Sequence, residues 1–339
     1  MDFRALGVAV AAASMYLFWT TGSGYISSTY GELDEQVQRM AGVSLTYNNP
    51  NDLAMQLCLV LPVLFALFLT ERKWWHRLLL IGSLMTILLA IVLTGSRGGL
   101  LQLAALLGIV VLQSSQRRVL IPALLVLGIG ILLFSPASLI QRYSSLGTIL
   151  SSPKEADPAA EGRLAGWNIA WQIFQDRPIL GVGAGNFPRA FERVYSYKGT
   201  QRWAQAHNLP GQVIGELGLV GAIAFTVYVF VVWRDSVLLL KDLGPPNGTP
   251  DLLGATAHSV PWMLVALLAG GLSNHLMYFI QWYIAGACVV VAKRLAKQRA
   301  GEAATITKQS ESSPTEPGNS RHSRGLRYEE RGLQTQKRP

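Results

Sequence analysis

The chain has 339 residues, of which 50% are hydrophobic and only 14% charged, and its mean hydropathy is +0.30. A soluble domain carries about a quarter charged residues, so composition excludes that class and indicates a polytopic membrane protein. The net charge of +9 does not indicate nucleic acid: from Lys293 onward eleven Lys and Arg stand against five Glu, a net of +6, with no stacking aromatics among them. Basic cytoplasmic flanks are the ordinary source of such an excess. Cys58 and Cys288 both fall in apolar runs and read as small core residues. No Cys/His cluster has metal-ligand spacing, and neither a metal nor another cofactor is expected.

Met1-Asp2-Phe3-Arg4 and the apolar run 5–21 read as an uncleaved first helix, because no small-x-small cleavage site follows. Further runs of near-bilayer length fall at 53–70, 78–94, 98–112, 119–137, 209–233 and 259–292. The polar break Ser273-Asn274-His275 splits the last into two short helices. The expected fold is all-α: a polytopic membrane protein of about eight transmembrane helices, with one large outer loop containing short helices. The segments are N-terminal transmembrane helices over 1–137, the loop over 138–208, C-terminal transmembrane helices over 209–295, and a disordered basic tail over 296–339.

Basic residues orient the spans. Arg72-Lys73 with Arg77, Arg117-Arg118, Arg234 with Lys241, and Lys293-Arg294 with Lys297 and Arg299 share one side if the spans alternate. That side is the cytoplasmic one, and both termini are expected there. The opposite face receives the loop 22–52, the Ser96-Arg97 turn, the loop 138–208 and the Asn274-His275 break. Within 138–208, Trp167, Ala170, Trp171 and Phe174 recur at helical spacing, and Pro178 ends that amphipathic helix. Its aromatics suit the headgroup level. The loop holds eight Lys and Arg against five Asp and Glu, a positive excess that topology does not explain.

Three polar punctuations share this outer face. In Thr94-Gly95-Ser96-Arg97-Gly98-Gly99, Arg97 is either a snorkelling residue of a tight hairpin or an anion ligand, with glycines letting backbone amides approach a phosphate. Arg163, ahead of the amphipathic helix, is either solvated or an anion partner at a helix start, where the dipole disfavours an unpaired cation. At Ala206-His207-Asn208, Asn208 reads as a helix cap, and His207 is its neighbour or a general base of near-neutral pKa. His275 is a second outer histidine able to line the same cavity. Gly181-Val182-Gly183-Ala184-Gly185-Asn186-Phe187 lacks strand-turn-helix context and reads as a turn, not a nucleotide loop.

Together these residues resemble the O-antigen ligase and polymerase superfamily of bacterial membrane glycosyltransferases. The resemblance covers roughly 39–290: Arg39 with Gly42, Asn49-Pro50-Asn51-Asp52-Leu53-Ala54, the Thr94-to-Gly99 turn, the Arg163-to-Trp167 stretch, and Pro178-Ile179-Leu180-Gly181-Val182-Gly183. Its most specific part is His207-Asn208, a nine-residue gap, and Gly218-Leu219-Val220-Gly221. A subgroup associated with exosortase-type sorting also looks similar.

The resemblance implies en bloc transfer of a glycan from an undecaprenyl-diphosphate-linked donor to an acceptor hydroxyl at the periplasmic face of a bacterial inner membrane. His207 would be the base, and Arg97 and Arg163 would hold the diphosphate. Asn208, Ser96, Trp167, Arg189 and His275 would bind substrate. The acceptor is a glycan, a lipid or a protein, and no metal, nucleotide or nucleic acid is implied. A polysaccharide polymerase would use the same residues. A transporter of lipid-linked sugars should carry mid-membrane polar residues and related halves; spans 1 to 5 hold almost no charge and no repeat is visible.

Overall fold

The computed structural model describes residues 40, 49–114, 117–134, 140, 143, 158–194, 205–243 and 252–312. The expected first span, 5–21, and Arg39 and Gly42 lie outside these residues. The chain divides into two compact units, Met1–Ala296 and Lys297–Pro339.

Among the described residues the secondary structure is helical, with no strand. The helices are α1 (Pro50–Thr70), α2 (Trp74–Leu93), α3 (Arg97–Gln113), α4 (Arg117–Phe134), α5 (Pro158–Asp176), α6 (Phe187–Val194), α7 (Leu209–Leu243), α8 (Leu252–Gly271) and α9 (Ile280–Ser312). Each apolar run expected from 53 onward falls on a helix over its described residues, and the last is split by a non-helical stretch at residues 272–279. Pro50–Phe68, Trp74–Leu93, Leu209–Leu243 and Leu253–Gly271 are long and apolar enough to cross a membrane, and Arg97–Gln113 is a shorter apolar helix. The protein is a multi-pass membrane protein.

Local sequence explains the helix ends. Asn49 caps α1 by accepting the Asn51 N–H at 2.9 Å, and Pro50 and Asp52 occupy the first turn, where a missing amide and a negative charge both suit the helix start. Of the second unit, residues 297–312 are helical, where a disordered tail was expected from 296. The run Lys297-Gln298-Arg299-Ala300 and Glu302-Ala303-Ala304 is made of strong helix formers, which low hydropathy alone does not reveal.

Within the first unit α8 packs against α1, α3 and α7, α1 against α2 and α3, and α5 against α7. Leu53, Leu64, Ile87, Ile91, Leu264 and Leu267 are fully buried between them. Helices already bathed in apolar lipid gain little from further apolar burial, so close approach and interhelical hydrogen bonds assume the larger part. Trp262 Nε1 donates to Gln113 Oε1 at 2.8 Å, joining α8 to α3, and Gln281 Nε2 donates to Gln56 Oε1 at 2.6 Å, joining α9 to α1. A Cβ at Gly271 would stand 2.8 Å from Leu209 Cβ, so α8 and the start of α7 touch with nothing between them.

The one interruption in α7 is at Gly218, with φ +62° and ψ −158°, a region that only glycine adopts without strain. The broken ladder is repaired by the turn that follows α5. Leu219 N–H and Val220 N–H donate to the Pro178 and Ile179 carbonyls at 2.8 and 3.2 Å. Val182 N–H and Gly183 N–H donate in return to the Gly215 and Glu216 carbonyls at 3.0 and 2.8 Å. A Cβ on Gly218 would lie 2.6 Å from Gly181 N and from the Ile179 carbonyl. Gly218→Ala should therefore lower stability by about 3 kcal/mol or more, seen as a fall in the unfolding temperature of purified protein. Gly108→Ala, at a helical position with open space around it, should stay within about 1 kcal/mol of the parent.

Candidate active site

Asn208 builds the start of α7. Its Oδ1 accepts the Gly211 N–H at 2.6 Å and its Nδ2 donates to the Ala206 carbonyl at 2.7 Å. The cap satisfies one of the orphan amides of the helix start, and Asn208 is buried. Fastening residues 206 and 208 through one amide folds the chain sharply at His207, whose φ of +50° makes it the one non-glycine residue in the left-handed region among the described residues. That conformation costs about 1–2 kcal/mol and is held by the cap. Gly211 allows it: a Cβ there would lie 2.6 Å from Asn208 Oδ1 and 3.0 Å from Ala170 Cβ of α5.

The break between α8 and α9 supplies the partner of His207. The rings of His207 and His275 are 5.9 Å apart at 74°, edge to face. The break is pinned on both sides of His275: Asn274 Nδ2 meets Met55 Sδ at 2.9 Å, and Met277 N–H donates to Gln212 Oε1 at 3.1 Å. Tyr278 OH donates to the Glu216 carboxylate. The break thus follows α7, with His275 beside His207, Met277 beside Gln212, and Tyr278 beside Glu216. His275 Nδ1 is buried and has no hydrogen-bond partner among the described residues. Burial, and then the neighbouring His207, push the His275 pKa down to about 4, so its ring is neutral at pH 7.

The turn that carries Arg97 meets the same break from α3. Ser96 caps that helix, its Oγ accepting the Gly99 N–H at 3.1 Å, and Gly95 makes the preceding turn at φ +62°. Arg97 is therefore the first residue of α3 and is only 8% exposed. A buried cation at a helix N-terminus opposes the dipole. The next residue, Gly98, carries no side chain where a Cβ would lie 2.3 Å from Ser273 Oγ. The arginine turn therefore rests directly on the break, two residues before His275.

Arg163 lies elsewhere than the sequence suggested. It is not ahead of the amphipathic helix but the sixth residue of α5, which begins at Pro158. Proline is pre-organised for the first helical position, and Ala159-Ala160-Glu161 continue a helix readily. An anion at Arg163 would therefore not sit on a helix terminus. Three residues later, Gly166 meets the chain beside His207: a Cβ there would stand 2.6 Å from the Ala206 carbonyl. Gly166, Ile169, Ala170 and Ile173 are buried, whereas Trp167 and Trp171 lie on the exposed side of α5 at 41% and 49%. Trp167 is thus turned from the stripe that meets Ala206. Arg189 is exposed on α6.

Two buried polar residues of α7 escaped the sequence reading. Gln212 is 2% exposed and Glu216 1%. Glu216 Oε2 accepts the Gly185 N–H at 2.8 Å as well as the Tyr278 hydroxyl. An acid within an apolar run is itself a signal, because burying it unpaired is costly.

The family model described as O-antigen ligase matches residues 82–226, a stretch that includes Arg97, Arg163, His207 and Asn208 but not His275. No curated protein matches the chain.

The depressed His275 pKa has a stability consequence. Its folded value of about 4 lies below the ordinary 6.5, so between these values the unfolded chain binds a proton that the folded chain does not. Stability present above about pH 6.5 is lost as pH falls toward 4, by at most about 3 kcal/mol from this group. The unfolding temperature of purified protein should fall over that interval, and His275→Gln should flatten the fall.

Proposed function

With residues 82–226 assigned to the O-antigen ligase family, we propose that the chain is a membrane glycosyltransferase that moves a glycan en bloc from an undecaprenyl-diphosphate-linked donor to an acceptor hydroxyl. The observation that carries this reading is the packing of the buried Arg97 turn on the break that holds His275 against His207. The turn that carries an obligate cation thus packs on the break whose histidine faces His207, and departure of a diphosphate from a sugar calls for both kinds of group.

Helix length supports a level for this geometry in the membrane. From Leu219, where α7 resumes after Gly218, to Arg234 there are 15 residues, or about 22 Å of helix. The hydrocarbon core is about 30 Å thick. With Arg234 at one boundary, Leu219 lies about 8 Å short of the other, and we take the histidine pair, ahead of the break, to lie at the headgroups on that side. A polyprenyl diphosphate anchored in the bilayer carries its charge at that depth. We assign this face to the periplasm and the Arg234 face to the cytoplasm of a bacterial inner membrane, with both termini cytoplasmic.

In the reaction, His207 takes the proton of the acceptor hydroxyl, and the oxygen attacks the anomeric carbon of the donor. The bond from that carbon to the diphosphate oxygen breaks, and undecaprenyl diphosphate leaves with the electron pair. Arg97, with Arg163, holds the diphosphate and offsets the charge that develops on it. A neutral His275 beside His207 leaves the base free of a second positive charge. Ser96 and Asn208 keep the two turns in place, and Trp167 and Arg189 line the approach of donor and acceptor. A polysaccharide polymerase differs only in its acceptor, a second lipid-linked unit.

The test is glycan transfer by purified protein in liposomes, supplied with an undecaprenyl-diphosphate glycan and three acceptors: lipid A core, a pilin-like protein and a second lipid-linked unit. Transfer should fall by roughly 10²–10⁴ in His207→Ala, and the acceptor that is used decides between ligase and polymerase. Transfer undiminished in His207→Ala would overturn the proposal. Arg97→Lys keeps the charge but loses the fork that grips a phosphate in two places. It should bind donor more weakly than the parent yet retain more transfer than Arg97→Ala, and equal rates in the two variants would remove Arg97 from the diphosphate.

A further inference from the structure

The turn after α5 belongs to a segment whose sequence assigns it to an aqueous loop, yet its tip is apolar and bare. Ile179 and Leu180 are 65% and 68% exposed. They adjoin Leu219, Val220, Ile223 and Val227 of α7, each more than half exposed, through the Pro178–Leu219 and Ile179–Val220 backbone pairs. These α7 residues belong to a helix apolar enough to cross a membrane, so the turn extends a lipid-facing row instead of interrupting it.

Three further observations agree. Val220 lies 14 residues before Arg234, about 21 Å along the helix, which leaves it inside a hydrocarbon core of about 30 Å. Irregular backbone survives at that depth only where its amides and carbonyls are satisfied by protein. In the turn, Gly181 N–H donates to the Arg177 carbonyl at 3.0 Å, and the four exchanged bonds with the broken α7 pair the Val182 and Gly183 amides and the Pro178 and Ile179 carbonyls. Trp167 and Trp171 project from the exposed side of α5 above the turn, where indoles favour the headgroup layer. Asp176 and Arg177 are exposed just before Pro178 and limit how deep the segment sinks.

We propose that the Pro178–Gly183 turn is a membrane-inserted anchor, with Ile179 and Leu180 among the acyl chains of the leaflet on the histidine side and Trp167 and Trp171 in the headgroup layer above them. The occupant of this surface is lipid hydrocarbon. The inference is independent of the reaction catalysed.

Single-cysteine proteins test it, made by replacing Cys58 and Cys288 with alanine and introducing Ile179→Cys or Leu180→Cys. Each is nitroxide-labelled in the full chain and reconstituted in phosphatidylethanolamine and phosphatidylglycerol vesicles. Relaxation by oxygen, which concentrates in hydrocarbon, is compared with relaxation by a water-soluble nickel chelate. Labels at Ile223→Cys of α7 and Glu192→Cys of α6 give the lipid and water references. Both turn labels should relax strongly with oxygen and lose most of the nickel response, as at position 223. A nickel response equal to that at position 192 would put the turn in water and overturn the anchor. Shielding from both reagents would mean a protein surface covers it, and would overturn it equally. Two adjacent label sites guard against one variant misfolding, since either gives the same reading.

Discussion

The exchange of backbone hydrogen bonds between the broken α7 and the turn at Pro178–Gly183 is the constraint on which the rest depends. A helix interrupted away from water leaves amides and carbonyls that each cost several kcal/mol if unpaired. Gly218 interrupts α7, and the turn answers with two carbonyls and two amides. Neither element is tenable without the other. Because the turn is the direct continuation of α5, the exchange also fixes α5 along the part of α7 that precedes Gly218, and hence Gly166 against Ala206 beside His207.

Along the other flank of α7 the break between α8 and α9 supplies a polar seam: an imidazole pair, a glutamine on a backbone amide, and a carboxylate shared between Tyr278 and Gly185. In a low dielectric each such bond is strong if made and costly if missing, so the seam specifies one register. The arginine turn is fitted to that register, since Ser273 fills the space that a Cβ on Gly98 would need.

Much of this was legible in the sequence. Hydropathy located the apolar helices from residue 53 onward, four of them long enough to cross a membrane, Ser273-Asn274-His275 marked the break, and Asn208 was readable as a cap because its side chain acts on amides three residues away. Pro178 ended the amphipathic helix where expected. The start of α5 was misplaced because the expected apolar periodicity begins at Trp167, while the helix begins nine residues earlier on propensity alone. Glu216 was passed over because its partners, Tyr278 and Gly185, lie 62 and 31 residues away in the chain. The glycine at 218 was visible as part of a spaced pattern, but its positive φ serves a turn some forty residues upstream, which no local window contains. That His207 and His275 touch follows from helix packing, and the sequence offered it only as an expectation.

The two fastenings of α5 to α7 also act as a ruler. Gly166 meets Ala206 at one end, and Ile179 meets Gly218 at the other. The intervals are thirteen and twelve residues, both near 18–20 Å at helical rise, so the segments run side by side in one direction at matched length. The nine-residue gap between Asn208 and Gly218 is then a mechanical dimension, not a loose spacing. One residue inserted in either segment turns everything beyond it by about 100°, and one fastening or the other is lost. Length in this stretch can change only in both helices together, so deletions and insertions here should be far rarer than substitutions.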